Sequence, residues 1–168
     1  MTWRPERFNT LRSVPRTGRP WMPGYGVPES LDGALPWSWS EERLVACRNY
    51  FLASVRSDGR PHVMPLWGLW HQELLCFSTA ITSIKSKNLL KNPACAVTID
   101  DGHNCVVLEG IARVTELAEV PGFVDAYNAK YEGDYSSMMG PIWTMKPTVA
   151  FAFNEDETFS TSATRWEF

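Results

Sequence analysis

The segment that most constrains the fold runs from residue 51 to residue 70, FLASVRSDGRPHVMPLWGLW. Two β-prone runs flank the sequence Ser57-Asp58-Gly59-Arg60, and Asp-Gly between such runs predicts a β-hairpin. The second run contains Pro65 and, a few residues later, Gly68. Proline cannot donate to a hydrogen-bond ladder, so a central strand excludes it. We therefore expect the backbone of this strand to open toward something other than a neighbouring strand, and a flat ligand is the candidate occupant.

Length and composition are those of one globular domain. The chain has 168 residues, of which 44% are apolar and 21% charged. The formal net charge of -3 gives no sign of nucleic-acid or membrane-surface affinity, so neither partner is expected. No apolar run approaches the roughly 20 residues of a spanning helix. Because the N-terminus also lacks a charged-then-apolar signal pattern, we expect a cytoplasmic protein.

Cysteine and histidine form no metal-binding pattern. The cysteines lack any Cys-x-x-Cys pair and have mostly apolar neighbours, which predicts reduced, buried thiols: Cys47, Cys76, Cys95 and Cys105. The histidines do not pair with cysteines at ligand spacing, so no metal is expected: His62, His71 and His103. Eight tryptophans are unusual for this length. We expect some of them in the core or a subunit interface, and a few lining a pocket for a planar ligand.

Residues 1–37 are rich in Pro, Gly and Arg and show no periodicity, which predicts an extended N-terminal arm followed by a domain over residues 38–168. The segment Trp21-Met22-Pro23-Gly24-Tyr25-Gly26-Val27-Pro28 is too aromatic for a solvated tail. We expect it to lie on the domain or on a partner subunit. A disordered tail is the alternative, and it suits residues 1–19 better than the rest.

Short strands separated by turns and a few helices follow. Ser38-x-x-Glu41 reads as a capping box that opens a helix to about residue 49. Strands are predicted at 50–56, 62–70, 74–78, 94–100 and 105–115, with a bulge at Gly110. Helices are predicted at 84–91, capped by Ser83, and at 120–131, with a loop over 132–146 and a last hairpin over 148–154 and 158–162. This pattern indicates a mainly β protein, a closed or nearly closed antiparallel barrel.

An anion site is one interpretation of the segment that starts at Ser78. Ser78 and Thr79 end a strand, and Ser83 starts a helix that carries Lys85 and Lys87. A helix N-terminus presents unpaired N–H groups that favour an anion, and nearby lysines strengthen this. The alternative is a solvated basic helix face with a simple serine cap. A ligand whose planar ring lies on the preceding hairpin and whose phosphate lies at this segment would be a flavin-type nucleotide.

Seven segments, taken in order, carry a family resemblance: YFLASVRSDGRPHVMPLWGLW, LLCFST, SIKSKNLLKNPACAVTID, VVLEGIARVTE, AYNAKY, KPTVAF and TRWEF. Their order and spacing resemble the pyridoxamine-5′-phosphate-oxidase-like split β-barrel family, and most of all its flavin- and deazaflavin-dependent oxidoreductases. The arm segment WMPGYGVPESLDGALPWSWSEERL also resembles the arm found in part of that branch. The resemblance extends over about residues 20–168.

The resemblance implies an FMN-binding split β-barrel that forms a homodimer, with cofactor sites at the subunit interface. The cofactor is FMN or the deazaflavin F420. By the same resemblance, the ring system contacts His62, Val63, Met64, Pro65, Leu66 and Trp67. The ribityl–phosphate portion contacts Ser78 and Thr79, and Lys85 matches the phosphate-binding lysine with Lys87 and Asn88 as neighbours. Arg165 and Trp166 match an ending that closes over the site, from the same or the other subunit.

One departure from the family pattern favours F420 over FMN. The family often has Arg-Lys where this chain has Ile84-Lys85, and losing the arginine removes a bidentate phosphate contact. The F420 tail carries carboxylates, for which the arm offers Arg12, Arg16 and Arg19. The C-terminus offers Arg165 alone instead of an arginine- and histidine-rich ending, so true pyridoxamine-phosphate oxidase activity is not expected.

The function implied is a reductase that moves a hydride between reduced F420 or FMN and a small conjugated or aromatic substrate, with the cofactor doing the redox chemistry. No catalytic residue is assigned; His62 and Tyr25 are the nearest candidates for proton delivery, with packing roles as the simpler reading. A non-catalytic carrier or sensor is the alternative, and a dimer that has lost its cofactor is a third. A carrier can have Trp67, Trp143 or Trp166 packed against the ring, whereas an enzyme needs open space there.

Overall fold

The computed structural model describes residues 15–101 and 103–168. Its strands are β1 (Arg16–Gly18), β2 (Tyr50–Val55), β3 (Pro61–Leu66), β4 (Gly68–His71), β5 (Leu74–Ser78), β6 (Ala94–Ile99), β7 (Asn104–Thr115), β8 (Ile142–Asn154) and β9 (Thr164–Glu167). Its helices are α1 (Trp37–Ala46), α2 (Ile84–Lys91), α3 (Phe123–Tyr131) and α4 (Phe159–Ser162), with 3-10 turns at Leu117–Glu119 and Ser136–Met138. No helix among the described residues has the length and apolar character needed to cross a membrane.

The strands form one antiparallel sheet with a branch. Its order is β1-β9-β8-β7-β6-β2-β3, while β4 pairs with β5 and β5 pairs with β8. The branch arises at β8, whose Ile142–Met145 half pairs with β5 and whose Val149–Ala152 half pairs with β9. This is the mainly β, split-barrel architecture that the sequence predicted.

The strand β7 bends where the sequence places Gly110. The register against β8 shifts between Glu109 and Gly110, so the predicted bulge is confirmed. A side chain at Gly110 would collide with the backbone carbonyl oxygen of Lys146. The bend therefore requires glycine at this position.

Two apolar clusters stabilise the sheet. The larger one fills the inside of the barrel, and its fully buried aromatic side chains include Trp143, Trp166, Tyr50 and Phe77. The smaller one lies between α3 and the β4–β5 pair, where Phe123, Tyr127 and Tyr131 pack with Leu69 and Cys76. The helix predicted at 120–131 is thereby confirmed, although the α-helix itself begins at Phe123.

The four cysteines are free thiols. Cys76 and Cys95 are buried, as predicted, and burial raises the pKa of each thiol to about 12. Cys47 and Cys105 are only half-buried. Their pKa values are also raised, chiefly by desolvation.

The predicted start of the first helix is wrong. α1 begins at Trp37 with Pro36 at the N-cap position, and no side chain caps it, so Ser38 and Glu41 do not form a capping box. Trp37 fixes this start because its ring packs edge-on against Trp166 at 5.3 Å and against other aromatic rings. The carboxylate of Glu41 instead accepts a hydrogen bond from the Trp70 indole at 3.3 Å. The helix also ends earlier than predicted, at Ala46.

Three further strand predictions need correction. The single strand predicted over 62–70 is broken at Trp67, because β3 pairs with β2 whereas β4 pairs with β5. The loop predicted over 132–146 gives way to β8 at Ile142, which pairs with both β5 and β7. The strand predicted over 158–162 is instead the helix α4, and the last strand is β9. Of these three, the early start of β8 depends on strands that are distant in sequence.

The arm lies on the domain of its own chain over residues 15–37. β1 adds an edge strand to β9, with Thr17 paired to Trp166. The Arg19 guanidinium donates to the backbone carbonyl oxygens of Ser30, Asp32, Thr161 and Ala163 at 2.6 to 2.8 Å. The tail predicted for residues 1–19 lies mostly outside the described residues, as does Arg12.

Candidate functional site

The strand β3 lies at a free edge of the sheet. It pairs with β2, and Pro65, paired with Phe51, is tolerated because no strand lies on its other side in the described chain. The side chains of Val63 and Met64 are 55% and 43% exposed. The expectation of an open backbone at this strand therefore matches the fold.

One face of the β2–β3 hairpin is directed toward the interior. Ser54 pairs with His62 and Leu52 with Met64, and residues that pair directly share a face. Because side chains alternate between the two faces of a strand, Arg56 lies on the same face as Ser54. The Arg56 N–H donates to the carbonyl oxygen of Arg60 at 2.9 Å, which extends the hydrogen-bond ladder into the turn. Arg56 and His62 are therefore on the same side of the hairpin.

The helix α2 is attached to this same face. The side-chain amide of Asn88 donates to the Ser54 hydroxyl at 3.0 Å, and both residues are buried. Lys85 precedes Asn88 by three positions, which puts the two side chains on one side of the helix. The start of α2 and the hairpin thus border a common space.

The N-terminus of α2 is built as predicted. The Ser83 hydroxyl accepts a hydrogen bond from the Ser86 backbone N–H at 3.2 Å and lies 3.3 Å from the Thr79 hydroxyl. The Ser78 hydroxyl donates to the carbonyl oxygen of Gly140 at 3.1 Å. Of the two hydroxyl groups at the end of β5, that of Thr79 is therefore joined to the N-cap of α2, whereas that of Ser78 is bonded to Gly140.

The cationic side chains of the site make no hydrogen bond or ion pair with the residues described. This holds for Arg56 and Lys85, which are half-buried, and for Lys87, which is exposed. Desolvation, and then the positive charges of Arg56 and Lys85, lower the pKa of His62. Its Nδ1 atom is shielded and unpaired in the described structure although the ring is half-exposed. This cluster suits an anion.

Arg56 was missed by the sequence reasoning, which treated it as the last residue of a strand. The signal was available, because counting every second residue back from Arg56 reaches Ser54 and Leu52 on the core face. What the sequence did not provide is the position of α2 against that face.

Trp67 is engaged by its own chain. Its ring stacks on Tyr131 with centroids 4.4 Å apart and planes at 8°, and the Arg48 guanidinium lies 5.5 Å from its ring centre. The neighbouring Leu66 is buried. Of the predicted ring-contacting segment, His62 to Pro65 are thus the residues with side chains accessible at the edge.

The junction between β3 and β4 is held by side chains of α3. The Gly68 N–H donates to the Tyr131 hydroxyl at 2.8 Å, and the Gly68 carbonyl oxygen accepts from the Lys130 ammonium at 3.1 Å. The Tyr131 hydroxyl also lies 2.9 Å from the carbonyl oxygen of Arg48. Burial lowers the pKa of Lys130, and it raises the pKa of Tyr131 to about 12, so the Tyr131 hydroxyl keeps its proton at neutral pH.

Arg165 and Trp166 are not brought to the other predicted residues within one chain. They lie on β9, which β8, β7, β6 and β2 separate from β3. The Trp166 side chain is fully buried and belongs to the core. Arg165 is half-buried and pairs with Glu167.

The arm residues considered for cofactor contact are also placed elsewhere. Arg16 pairs with Glu167, and Arg19 is used by backbone carbonyl oxygens. Tyr25 is 62% exposed and its ring lies 5.9 Å from that of Phe159. Within residues 15–101 and 103–168, no three His, Cys, Asp or Glu side chains are arranged to hold a metal ion.

Comparison with known proteins agrees with the fold. Rv2991 of Mycobacterium tuberculosis, a conserved hypothetical protein, is 21% identical over 74% of this chain and 88% of its own, with a TM-score of 0.63. A solved F420 reductase is 25% identical over 66% of this chain and 94% of its own, with a TM-score of 0.54. HutZ, a heme storage protein from Vibrio cholerae, is 17% identical over 68% and 90%, with a TM-score of 0.55.

A search among curated protein sequences gave no match. The family model described as pyridoxamine 5'-phosphate oxidase matches residues 40–155, which include the β2–β3 hairpin, α2 and most of the sheet. The chain therefore belongs to the pyridoxamine 5'-phosphate oxidase family.

Proposed function

We propose that the protein is an oxidoreductase that binds F420 or FMN and moves a hydride between the reduced cofactor and a small conjugated or aromatic substrate. The observation that carries the proposal is the group of unpartnered cations beside the free edge of β3. A phosphate-bearing ligand fits there because it would neutralise these cations and provide hydrogen-bond acceptors that the described structure lacks.

Each part of the site has a distinct role in this proposal. Lys85, Lys87 and the first turn of α2 would bind the phosphate, with the hydroxyls of Ser78 and Thr79 nearby. The edge of β3 would orient the ring system, and the cofactor would supply the redox chemistry. His62 is neutral at pH 7 because its pKa is lowered, so its imidazole is available to accept a proton or a hydrogen bond.

F420 is favoured over FMN. Ile84 occupies the first position of α2, so this turn offers Lys85 as its one half-buried cation. The solved F420 reductase, at 25% identity, supports the same choice.

A second copy of the chain is the proposed partner. A row of directly paired residues crosses the outward face of the sheet: Pro65, Phe51, Thr98, Val107, Phe151 and Arg165. Four of these six residues are apolar. The row continues into a groove of about 280 Å³ where Trp21 and Met22 of the arm face Phe151 and Phe153. Because the row begins at β3 and ends at β9, a twofold axis near its middle would bring Arg165 of one copy to β3 of the other.

Catalysis is favoured over a carrier or sensor role. The tryptophans that would fill the space beside the ring are occupied elsewhere: Trp67 stacks on Tyr131, and Trp143 and Trp166 are buried in the core. The exposed edge at Val63 and Met64 keeps the open space that a substrate needs.

The test is a tryptophan-fluorescence titration of cofactor-stripped protein with F420 and FMN side by side. We expect saturable quenching, stronger for F420, and at least several-fold weaker binding by Lys85→Ala. A substrate screen with the reduced form of the tighter cofactor then follows its oxidation by absorbance. Quenching by neither cofactor at high micromolar concentration would overturn the proposed function, and binding without turnover of any aromatic or conjugated acceptor would favour the carrier.

A further inference from the structure

We propose that Arg56 is a phosphate-binding residue of this site, its guanidinium acting together with Lys85 on one phosphoryl group. The inference rests on the proposed function and extends it to a residue of the hairpin turn. A guanidinium can bind a phosphate through two parallel hydrogen bonds, which the single ammonium of Lys85 cannot do.

The position of Arg56 is fixed by the backbone of the turn. Its N–H donates to the Arg60 carbonyl oxygen, and its own carbonyl oxygen accepts from the Gly59 N–H, both at 2.9 Å. Gly59 has a positive φ of 84°, as this turn requires. The side chain therefore starts from a rigid point on the inward face of the hairpin.

The side chains of His62 and Lys85 converge on that face. His62 belongs to β3 opposite Ser54, and Ser54 holds Asn88 of α2 at 3.0 Å. Lys85 lies one turn before Asn88 on the same side of α2. Both cations are close enough to lower the pKa of His62. Like charges brought together without a counterion cost free energy, and an anion bound between them removes that cost.

The acidic neighbour does not satisfy Arg56. Hydrogen bonds from Arg60, and to a smaller extent the charge of Arg56, lower the pKa of Asp58. The side chain that contacts the Asp58 carboxylate is that of Arg60, at 2.8 Å. Among the described residues, the other arginines all have a partner: Arg16 and Arg165 pair with Glu167, Arg19 and Arg43 with carbonyl oxygens, Arg48 with Trp67, and Arg113 with Glu119. Arg56 is the half-buried guanidinium in this part of the chain that is left for a ligand.

The first experiment compares Arg56→Ala with Arg60→Ala, an arginine in the same turn that is already paired. Dissociation constants are measured for FMN and F420, and for riboflavin, which lacks the phosphate. We expect Arg56→Ala to weaken the binding of FMN and F420 by about tenfold or more, because a charge-assisted hydrogen bond to the phosphate is lost. The binding of riboflavin should weaken by less than about twofold, since riboflavin has no phosphate. Arg60→Ala should change all three by less than about twofold.

A rescue variant separates phosphate binding from a structural effect. Ile84 is 47% exposed at the first position of α2, so Ile84→Arg adds a guanidinium next to Lys85. In the Arg56→Ala background it should restore most of the lost FMN affinity. Equal losses for FMN and riboflavin, or equal effects of Arg56→Ala and Arg60→Ala, would overturn the inference.

The inference and the proposed function fail in different ways. If Lys85→Ala weakens the cofactors and Arg56→Ala does not, the function stands and the role of Arg56 is wrong. If the wild-type protein binds neither cofactor, inorganic phosphate is the probe, followed through the NMR signals of His62. A phosphate-dependent change in the His62 NMR signals that is lost in Arg56→Ala would support the anion site while the proposed function fails. If phosphate does not change these signals, both the anion site and the proposed function are overturned.

Discussion

His62 reports the electrostatics of the site at the scale of single residues. Its pKa is lowered by burial and by the charges of Arg56 and Lys85. We expect Arg56→Ala and Lys85→Ala each to raise this pKa toward the ordinary value of about 6.5, as followed by NMR titration. Lys91→Ala, at the far end of α2, is the matched control and should leave the pKa of His62 unchanged.

The sign of the pH effect follows from the same shift. Because the unfolded chain binds the proton of His62 more readily than the folded chain, the free energy of unfolding falls as pH drops below about 6.5. The loss is complete once pH is below the folded-state pKa. Unfolding curves of His62→Gln should show a smaller loss over this range, and an identical pH dependence in the two proteins would contradict the assignment.

Two serines near the starts of helices differ in their contribution to helix capping. Ser83 caps α2 through the Ser86 N–H, whereas Ser38 lies inside α1 and caps nothing. We expect Ser83→Ala to lower the free energy of unfolding by about 1 kcal/mol. Ser38→Ala should stay within about 0.5 kcal/mol of wild type in the same urea titration, since an exposed helix position without a partner tolerates alanine. Equal losses would mean that the cap at Ser38 forms after all.

At the scale of elements, the break between β3 and β4 depends on α3. The Tyr131 hydroxyl lies within hydrogen-bond distance of the Gly68 N–H, the Gly68 carbonyl oxygen and the Arg48 carbonyl oxygen. A Cβ at Gly68 would approach the Cys76 carbonyl oxygen to 2.9 Å, so the backbone has little room to relax. The change of strand partner at Trp67 is therefore maintained by a helix distant in sequence.

Removing that hydroxyl tests the arrangement. Tyr131→Phe leaves the buried Gly68 N–H without a partner, and we expect the free energy of unfolding to fall by about 1–3 kcal/mol. The control is Tyr135→Phe, whose half-buried hydroxyl makes one bond of 3.3 Å to the Tyr131 carbonyl oxygen. It should lose less than about 1 kcal/mol in the same denaturation experiment. Similar losses for the two variants would show that the Tyr131 hydroxyl has no special role.

At the scale of the whole molecule, the outward sheet face is the surface proposed for self-association. Phe151→Glu puts a charge into the apolar part of the row and should convert a dimer to a monomer in light-scattering measurements. Val45→Glu is the control, since Val45 is 58% exposed on α1, outside this face. A wild-type protein that is monomeric at tens of micromolar, or a dimer that survives Phe151→Glu, would contradict the proposed interface.

Local signals in the sequence determined several parts of this protein. The Asp58-Gly59 hairpin, the Ser83 cap, the Gly110 bulge and the end of α2 before Pro93 all appear where the sequence predicted them. Each depends on backbone conformation and hydrogen bonds within a few residues, so the local residue types are sufficient. The edge position of β3 also follows from one residue, because Pro65 cannot donate to a second neighbour.

Only the tertiary structure decided the rest. The start of α1 at Trp37, the break at Trp67, the pairing of β1 with β9 and the attachment of α2 to the β2–β3 hairpin through Asn88 and Ser54 all depend on contacts between segments far apart in sequence. Such contacts depend on which surfaces are buried together when the chain closes, and no local pattern encodes that choice. Composition and spacing thus indicated a mainly β barrel and predicted an anion site, whereas long-range packing determined which side chains lie beside that proposed site.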